Sequence, residues 1–194
     1  MKTLTNTLPP NTDSLLKQRI ENTREPVKLA RTLNYTLTMK RVRLCIKIMI
    51  TGLFLSGVTA FPLETELNLL ANLSGAAPEF MHQWIDTVYQ AIRYCNKAFP
   101  FLSYGTDWLA FAHVMLAVLF IGPLRNPVKN IWVIEFGMIA CVLILPLAFI
   151  MGPIRHIPLF WTLVDCSFGI FGIIPLYIAY INTKKLEAAN KGAL

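Results

Sequence analysis

The stretch from residue 131 to residue 151 reads IWVIEFGMIACVLILPLAFIM, with Glu135 as its one charged side chain. A helix of this length measures about 30 Å, which is the thickness of the hydrocarbon core of a bilayer. Further apolar stretches of similar length lie at 44–61, 107–124 and 159–181. Their hydrophobicity is continuous rather than alternating, which indicates helices and not barrel strands. The sequence therefore predicts an all-α integral membrane protein whose four transmembrane helices form a small bundle.

Composition and charge placement agree with this class. The chain is 55% hydrophobic, with a mean hydropathy of +0.51. Its net charge of +7 is uneven, because residues 1–43 hold nine Lys/Arg against three Asp/Glu, whereas residues 62–106 are net acidic. Basic residues remain on the cytoplasmic side of a membrane. We therefore expect both termini to be cytoplasmic, with the lipid bilayer as a partner and no nucleic-acid partner.

This pattern divides the chain into three parts. Residues 1–41 are expected to be a cytoplasmic, disordered basic tail, residues 42–182 the membrane domain, and residues 183–194 a second cytoplasmic tail. Two alternatives stay open at the first span. The basic residues, apolar run and small residues up to Ala60 also resemble a cleaved signal peptide, and Met39 before basic residues resembles a natural start.

The outer segment, residues 62–106, contains a strongly patterned run. From Met81 to Phe99, apolar side chains recur at intervals of three and four residues, which predicts an amphipathic helix at about 79–99, bounded by prolines. This helix either caps the bundle along the membrane surface or docks a partner. The candidate partner face consists of Trp84, Ile85 and Val88.

Ionisable residues inside the spans are the strongest functional clue, because a charge in hydrocarbon is costly unless it is paired. His113 and Asp165 are predicted at a similar depth, about 10 Å from one face, and form a candidate polar pair. Lys47 and Glu135, near the other face, form a candidate ion pair. Either pair suits a structural bond between helices as well as a functional site. Asp107 is expected to be the N-cap of the second span.

Other signatures are absent from the sequence. The four cysteines show no C-x-x-C spacing, so no disulfide framework is indicated. His82 has no second ligand at helical metal spacing and is interpreted as a solvated histidine. No cofactor, no metal and no enzyme activity are predicted.

The third and fourth spans look like imperfect copies of each other. Pro146 follows Trp132 by fourteen residues, and Pro175 follows Trp161 by the same interval. Consecutive copies would cross the membrane in opposite directions, as the inverted repeats of transporters do. Sequence features common to many membrane helices explain the pattern equally well, since Trp favours membrane interfaces and Gly-Pro ends spans.

Three functions are compatible with these features. The first is a non-enzymatic accessory or interaction protein that binds a membrane-protein partner or forms a homo-oligomer. The alternative is a proton- or solute-coupled transporter or sensor that uses His113 and Asp165. A second alternative is haem or quinone binding, with His113 as an axial ligand. The short loops favour a bacterial inner membrane as the location.

Overall fold

The computed structural model of the chain describes residues 10–191, which are 91% helical and contain no strand. The predicted tails extend beyond this range at residues 1–9 and 192–194, which lie outside the described residues. The α-helices follow one another as α1 Pro10–Ala60, α2 Leu63–Leu73, α3 Glu79–Ala98, α4 Tyr104–Leu119, α5 Ile121–Arg125, α6 Ile131–Ile154 and α7 Leu159–Lys191.

Four helical segments in the described chain are long and apolar enough to cross a membrane. They are Ser14–Ala60, Pro100–Arg125, Ile131–Ile154 and Leu159–Lys191, and each contains a predicted apolar stretch apart from Phe61, which lies just past the first. α3 ends within one residue of the predicted amphipathic helix. The prediction of an all-helical chain with four such segments is therefore confirmed.

α1 begins far earlier than the sequence predicts. It runs from Pro10 to Ala60, where a disordered tail is expected through residue 41. Threonine hydroxyls in this region donate to carbonyl oxygens one turn back, such as Thr32 Oγ1 to Lys28 O at 3.0 Å, so polar side chains are accommodated within the helix. α1 is about 75 Å long. Its described side chains from residue 14 to residue 34 are exposed.

The four long helices pack as an open row. α4 packs against α1, α1 packs also against α7, and α7 packs also against α6. Within residues 10–191, no comparable packing joins α4 to α6 or to α7. The predicted bundle is thus open on one side, because α1 occupies the place between α4 and α7. The short helix α5 contacts α1, α4 and α6 and closes the row at one end.

A regular seam holds α1 against α7. On α1 the buried side chains Val42 and Ile46 belong to a series of three- and four-residue intervals that runs from Tyr35 to Leu53. On α7, Leu176 and Ala179 are fully buried. Such spacing lets side chains of two antiparallel helices interdigitate. The seam continues into the predicted second tail, residues 183–194, to Thr183 and Leu186, which are also buried.

Glycines allow close contact in two other helix pairs, α1 with α4 and α6 with α7. A Cβ atom at Gly57 would lie 2.8 Å from the Ala110 carbonyl oxygen of α4. At Gly169 it would lie 2.5 Å from the Cys141 carbonyl oxygen of α6. In both helix pairs the glycine therefore lies directly against the backbone of the neighbouring helix, which small residues permit in membrane helices.

The turn between α6 and α7 contains a residue in the left-handed region. His156 has a φ of 56°. Its N–H donates to Pro153 O at 3.2 Å and the Ile157 N–H donates to Gly152 O at 2.9 Å. This pair of bonds is the Schellman arrangement that ends helices, and glycine is the residue it favours.

We therefore expect the His156→Gly variant to be as stable as the native protein, or to have a free energy of unfolding higher by up to about 1 kcal/mol. His156→Val should lose at least about 1 kcal/mol, because a β-branched side chain disfavours positive φ. The unfolding midpoint of the detergent-purified protein measures both. A valine variant as stable as the native protein would contradict the assignment.

Candidate functional site

The structure does not bring His113 and Asp165 together. His113 lies on α4 and its ring Nδ1 donates to the Leu109 carbonyl oxygen at 2.9 Å, within its own helix. Asp165 lies half-buried on α7 between Thr162 and Cys166, and α1 separates the two helices. Among residues 10–191 no hydrogen bond or ion pair joins them. The predicted pair is not formed in the described chain, and the transporter or sensor hypothesis stays a prediction of the sequence.

The predicted ion pair of Lys47 and Glu135 is not formed either. Lys47 is exposed on α1, and α1 does not pack against α6, which carries Glu135. Glu135 instead lies within electrostatic range of Lys184 on α7. Lys184 itself contacts Glu187 at 3.3 Å, and Glu187 contacts Lys191 at 2.8 Å. The charged side chains near the end of α7 therefore pair along that helix, and Glu135 lies near them because α6 packs against α7.

The candidate partner face on α3 is largely covered by the chain itself. Ile85 is only 5% exposed, and Trp84 and Val88 are half-buried. α3 packs against α2, and Phe80 of α3 meets Phe160 of α7 edge to face at 5.1 Å. The structure therefore places this face in an internal contact.

His82 also belongs to the contact between α2 and α3. Its Nδ1 lies 2.8 Å from the Ser74 hydroxyl oxygen, and the side chain is half-buried. The interpretation of His82 as a solvated histidine is therefore wrong, because the short helical turn after α2 supplies it with a hydrogen-bond partner.

A pair of adjoining cavities lies where α1 ends, α2 begins, α3 ends and α4 begins. The polar cavity has a volume of about 100 Å³ and its wall includes Glu64, Asn96, Ser103 and Asp107. Asn96 Nδ2 donates to Glu64 Oε2 at 2.7 Å, and the Ser103 hydroxyl donates to Asn96 Oδ1. These bonds tie the loop before α4 to the first turn of α2.

The aromatic cavity is larger, at about 290 Å³, and is open to the surroundings. It is lined by Phe61, Tyr104, Asp107, Trp108 and Phe111. The Tyr104 and Trp108 rings are 6.0 Å apart at 87°, and the Trp108 and Phe111 rings repeat the same distance and angle. Successive rings are therefore perpendicular and contact each other edge to face. Phe61 and Asp107 line both cavities.

Asp107 does not cap α4 as the sequence predicts. The residue before the helix is Ser103, and no side chain bonds the free N–H groups of the first turn. Asp107 lies in that turn, with its own N–H bonded to Ser103 O at 3.1 Å. In the described part of the chain its carboxylate has neither an ion-pair nor a hydrogen-bond partner. It therefore faces the cavities unpaired.

Sequence reasoning missed this site, although part of its signal was visible. Tyr104, Asp107, Trp108 and Phe111 recur at positions that share one helical face. Phe61 joins them only because α1 packs against α4, which no local pattern reveals. Among residues 10–191, no group of three or more His, Cys, Asp and Glu side chains is placed to hold a metal ion.

Comparisons with known proteins add no relative. No protein-family model matches the chain, and neither a curated protein nor a solved structure matches it.

Proposed function

We propose that this chain is a non-enzymatic, multi-pass membrane protein that acts as an accessory subunit and binds a partner through the projecting part of α1. Its four long apolar helices and the basic residues before the first of them support a cell-membrane location with both termini cytoplasmic. The bacterial inner membrane is the location we favour. Haem or quinone binding at His113 stays a prediction of the sequence.

The observation that carries this proposal is an exposed stripe of mainly apolar side chains on α1. Leu16, Thr23, Val27, Ala30 and Leu37 recur at intervals of three, four and seven residues, so they share one side of the helix. All five are exposed, with Val27 at 60%. We call this set the α1 stripe. Such spacing on a helical stretch whose described side chains are exposed is typical of a coiled-coil surface.

The charges beside the α1 stripe favour a particular partner. Lys17, Arg24 and Arg31 each follow a stripe residue directly, at positions that face the partner helix in a coiled coil. An antiparallel second copy would set these three against one another, and a parallel copy would set Arg24 against Arg19. Like charges in this arrangement destabilise pairing. An amphipathic helix with acidic flanks satisfies both the stripe and its charges.

The experiment compares two double variants that remove the same side chains from different sides of α1. Leu16→Gln with Leu37→Gln changes the α1 stripe, and Leu15→Gln with Leu29→Gln changes two leucines off the stripe that are somewhat more exposed. The tagged full-length proteins are purified in mild detergent and their stoichiometric partners identified by mass spectrometry. We expect the stripe variant to retain at least about tenfold less partner, since each buried leucine contributes about 1.5–3 kcal/mol. The off-stripe variant should behave like the native protein.

Two results would contradict the proposal. One is equal recovery of the partner by both double variants. The other is a native protein that purifies without a stoichiometric partner. A homo-oligomer that only the stripe variant disrupts would overturn the choice of an acidic partner, because it would make a second copy the occupant.

A further inference from the structure

We infer that the aromatic cavity between the end of α1 and the start of α4 binds a quaternary ammonium group. This site is separate from the α1 stripe, which lies at the opposite end of the same helix. The inference depends on the ring geometry, on the unpaired carboxylate of Asp107 and on the residue types that line the walls.

The aromatic rings in the wall of the cavity suit a cation that carries methyl groups. The Tyr104, Trp108 and Phe111 rings stand side by side along this wall, each perpendicular to the next, so a ligand in the cavity lies beside three aromatic rings. Aromatic faces attract cations within about 6 Å of the ring centre, and Trp does so most strongly. Phe61, in the turn directly after α1, supplies a further aromatic wall. The cavity is therefore an open recess whose aromatic side chains come from two parts of the chain.

The electrostatics of the walls favour a positive ligand. Asp107 lines the aromatic cavity and Glu64 lines the adjoining polar one, and among the described residues no Lys or Arg lines either of them. The N-terminus of α4 opposes a cation with a partial charge of about +0.5. The full negative charge of Asp107, in the first turn of that helix and without a partner, exceeds it. The balance is therefore negative at the cavity.

The lining also selects among cations. A small metal ion requires several oxygen ligands, and one carboxylate among four aromatic rings does not supply them. A primary ammonium group needs hydrogen-bond acceptors for its three donors. A trimethylammonium group needs none, and its methyl groups pack against ring faces while the carboxylate balances its charge. The volume of about 290 Å³ is close to the lower end of small-ligand sites, roughly 300 Å³.

Two sources supply a quaternary ammonium group to this cavity. A free solute such as choline would enter from the aqueous side. The choline headgroup of a phospholipid would enter from the membrane, since the cavity lies where the predicted second span begins. Tetramethylammonium and choline are the probes for the shared chemistry.

The test uses the full-length protein in a maltoside detergent, which carries no quaternary ammonium group. Tetramethylammonium and choline are titrated by calorimetry, with ammonium and potassium chloride as controls. We expect saturable binding of the first two only. Asp107→Asn and Trp108→Leu should each weaken binding at least about tenfold, which corresponds to about 1.4 kcal/mol.

A matched tryptophan provides the control. Trp132→Leu removes an aromatic ring of similar exposure, 55% against 57% for Trp108, from α6 and should leave affinity unchanged. Because Trp108 is exposed, its replacement should leave the gel-filtration profile unchanged. Absence of saturable binding, or equal loss in the Trp132 and Trp108 variants, would overturn the proposal.

Reconstitution distinguishes the two sources. Choline is titrated into protein in phosphatidylcholine nanodiscs and in phosphatidylglycerol nanodiscs. Weaker apparent binding in phosphatidylcholine supports the site and identifies the lipid headgroup as a competing ligand. Equal binding in both supports the site and identifies a free solute. Lack of binding in both overturns the proposal.

Discussion

We expect Gly169→Val to destroy the native packing of α6 against α7. A Cβ atom at Gly169 would lie 2.5 Å from the Cys141 carbonyl oxygen, and a backbone atom in a helix cannot move aside alone. The two helices must therefore separate along their contact. The expected cost is at least about 3 kcal/mol, the upper part of the range for overpacked cores. Reversible unfolding of the purified protein in mixed micelles measures it.

The control is Gly52→Val on α1. A Cβ atom at Gly52 would meet nothing within 4 Å, so this variant adds the same side chain to open space. Its unfolding should stay within about 0.5 kcal/mol of the native protein. Equal unfolding of the Gly169 and Gly52 variants would mean that α6 and α7 do not approach each other as the structure describes.

The second large effect is expected for Phe120→Ala. Phe120 is 2% exposed at the end of α4, and its ring lies 2.8 Å from the place of a Cβ atom at Gly137 on α6. It therefore fills the space where α4 and α5 meet α6. Truncation of a buried phenylalanine costs about 3–5 kcal/mol, because it removes apolar contacts and leaves a cavity.

A phenylalanine of α1 provides the comparison. Phe54 is 49% exposed, so Phe54→Ala should lower stability far less than Phe120→Ala in the same unfolding assay. If the two substitutions have equal effects, α5 does not close the row of helices through Phe120.

Local patterns predicted much of the fold. The three- and four-residue spacing around Ile85 placed α3 within one residue of its observed end, because amphipathic periodicity and the flanking prolines are local signals. The apolar stretches likewise identified the four long helices. The start of α1 escaped prediction, since Thr32 and its neighbours bond their own helix and compensate for polar side chains.

The lateral order of the helices did not follow from the sequence. Hydropathy suggests the depth of a residue but not which helix lies beside it. His113 and Asp165 are separated because Gly57 lets α4 pack closely against α1, and α1 in turn packs against α7. Glu135 lies within electrostatic range of Lys184 because α6 packs against α7. The two predicted pairs therefore failed because depth alone does not identify the neighbouring helix.

The candidate site shows the same limit. The α4 side of the aromatic cavity, with Tyr104 and Trp108, follows from helical spacing. The contribution of Phe61 and the hydrogen bond from Asn96 to Glu64 depend on how α1, α2 and α3 meet. The helical spacing in the sequence therefore predicts the α4 side of the cavity, and the packing of α1, α2 and α3 supplies the other side.

The central claim is that the four long helices cross a membrane and leave both termini on the cytoplasmic side. Single cysteines at Lys28→Cys and Arg155→Cys, both exposed positions, test it in a Cys95→Ser background, since Cys45, Cys141 and Cys166 are buried. A membrane-impermeant maleimide is applied to intact cells and to opened cells. The account predicts that position 155 is labelled in intact cells and position 28 only after opening. Labelling of position 28 in intact cells, or of both positions only after opening, would contradict it.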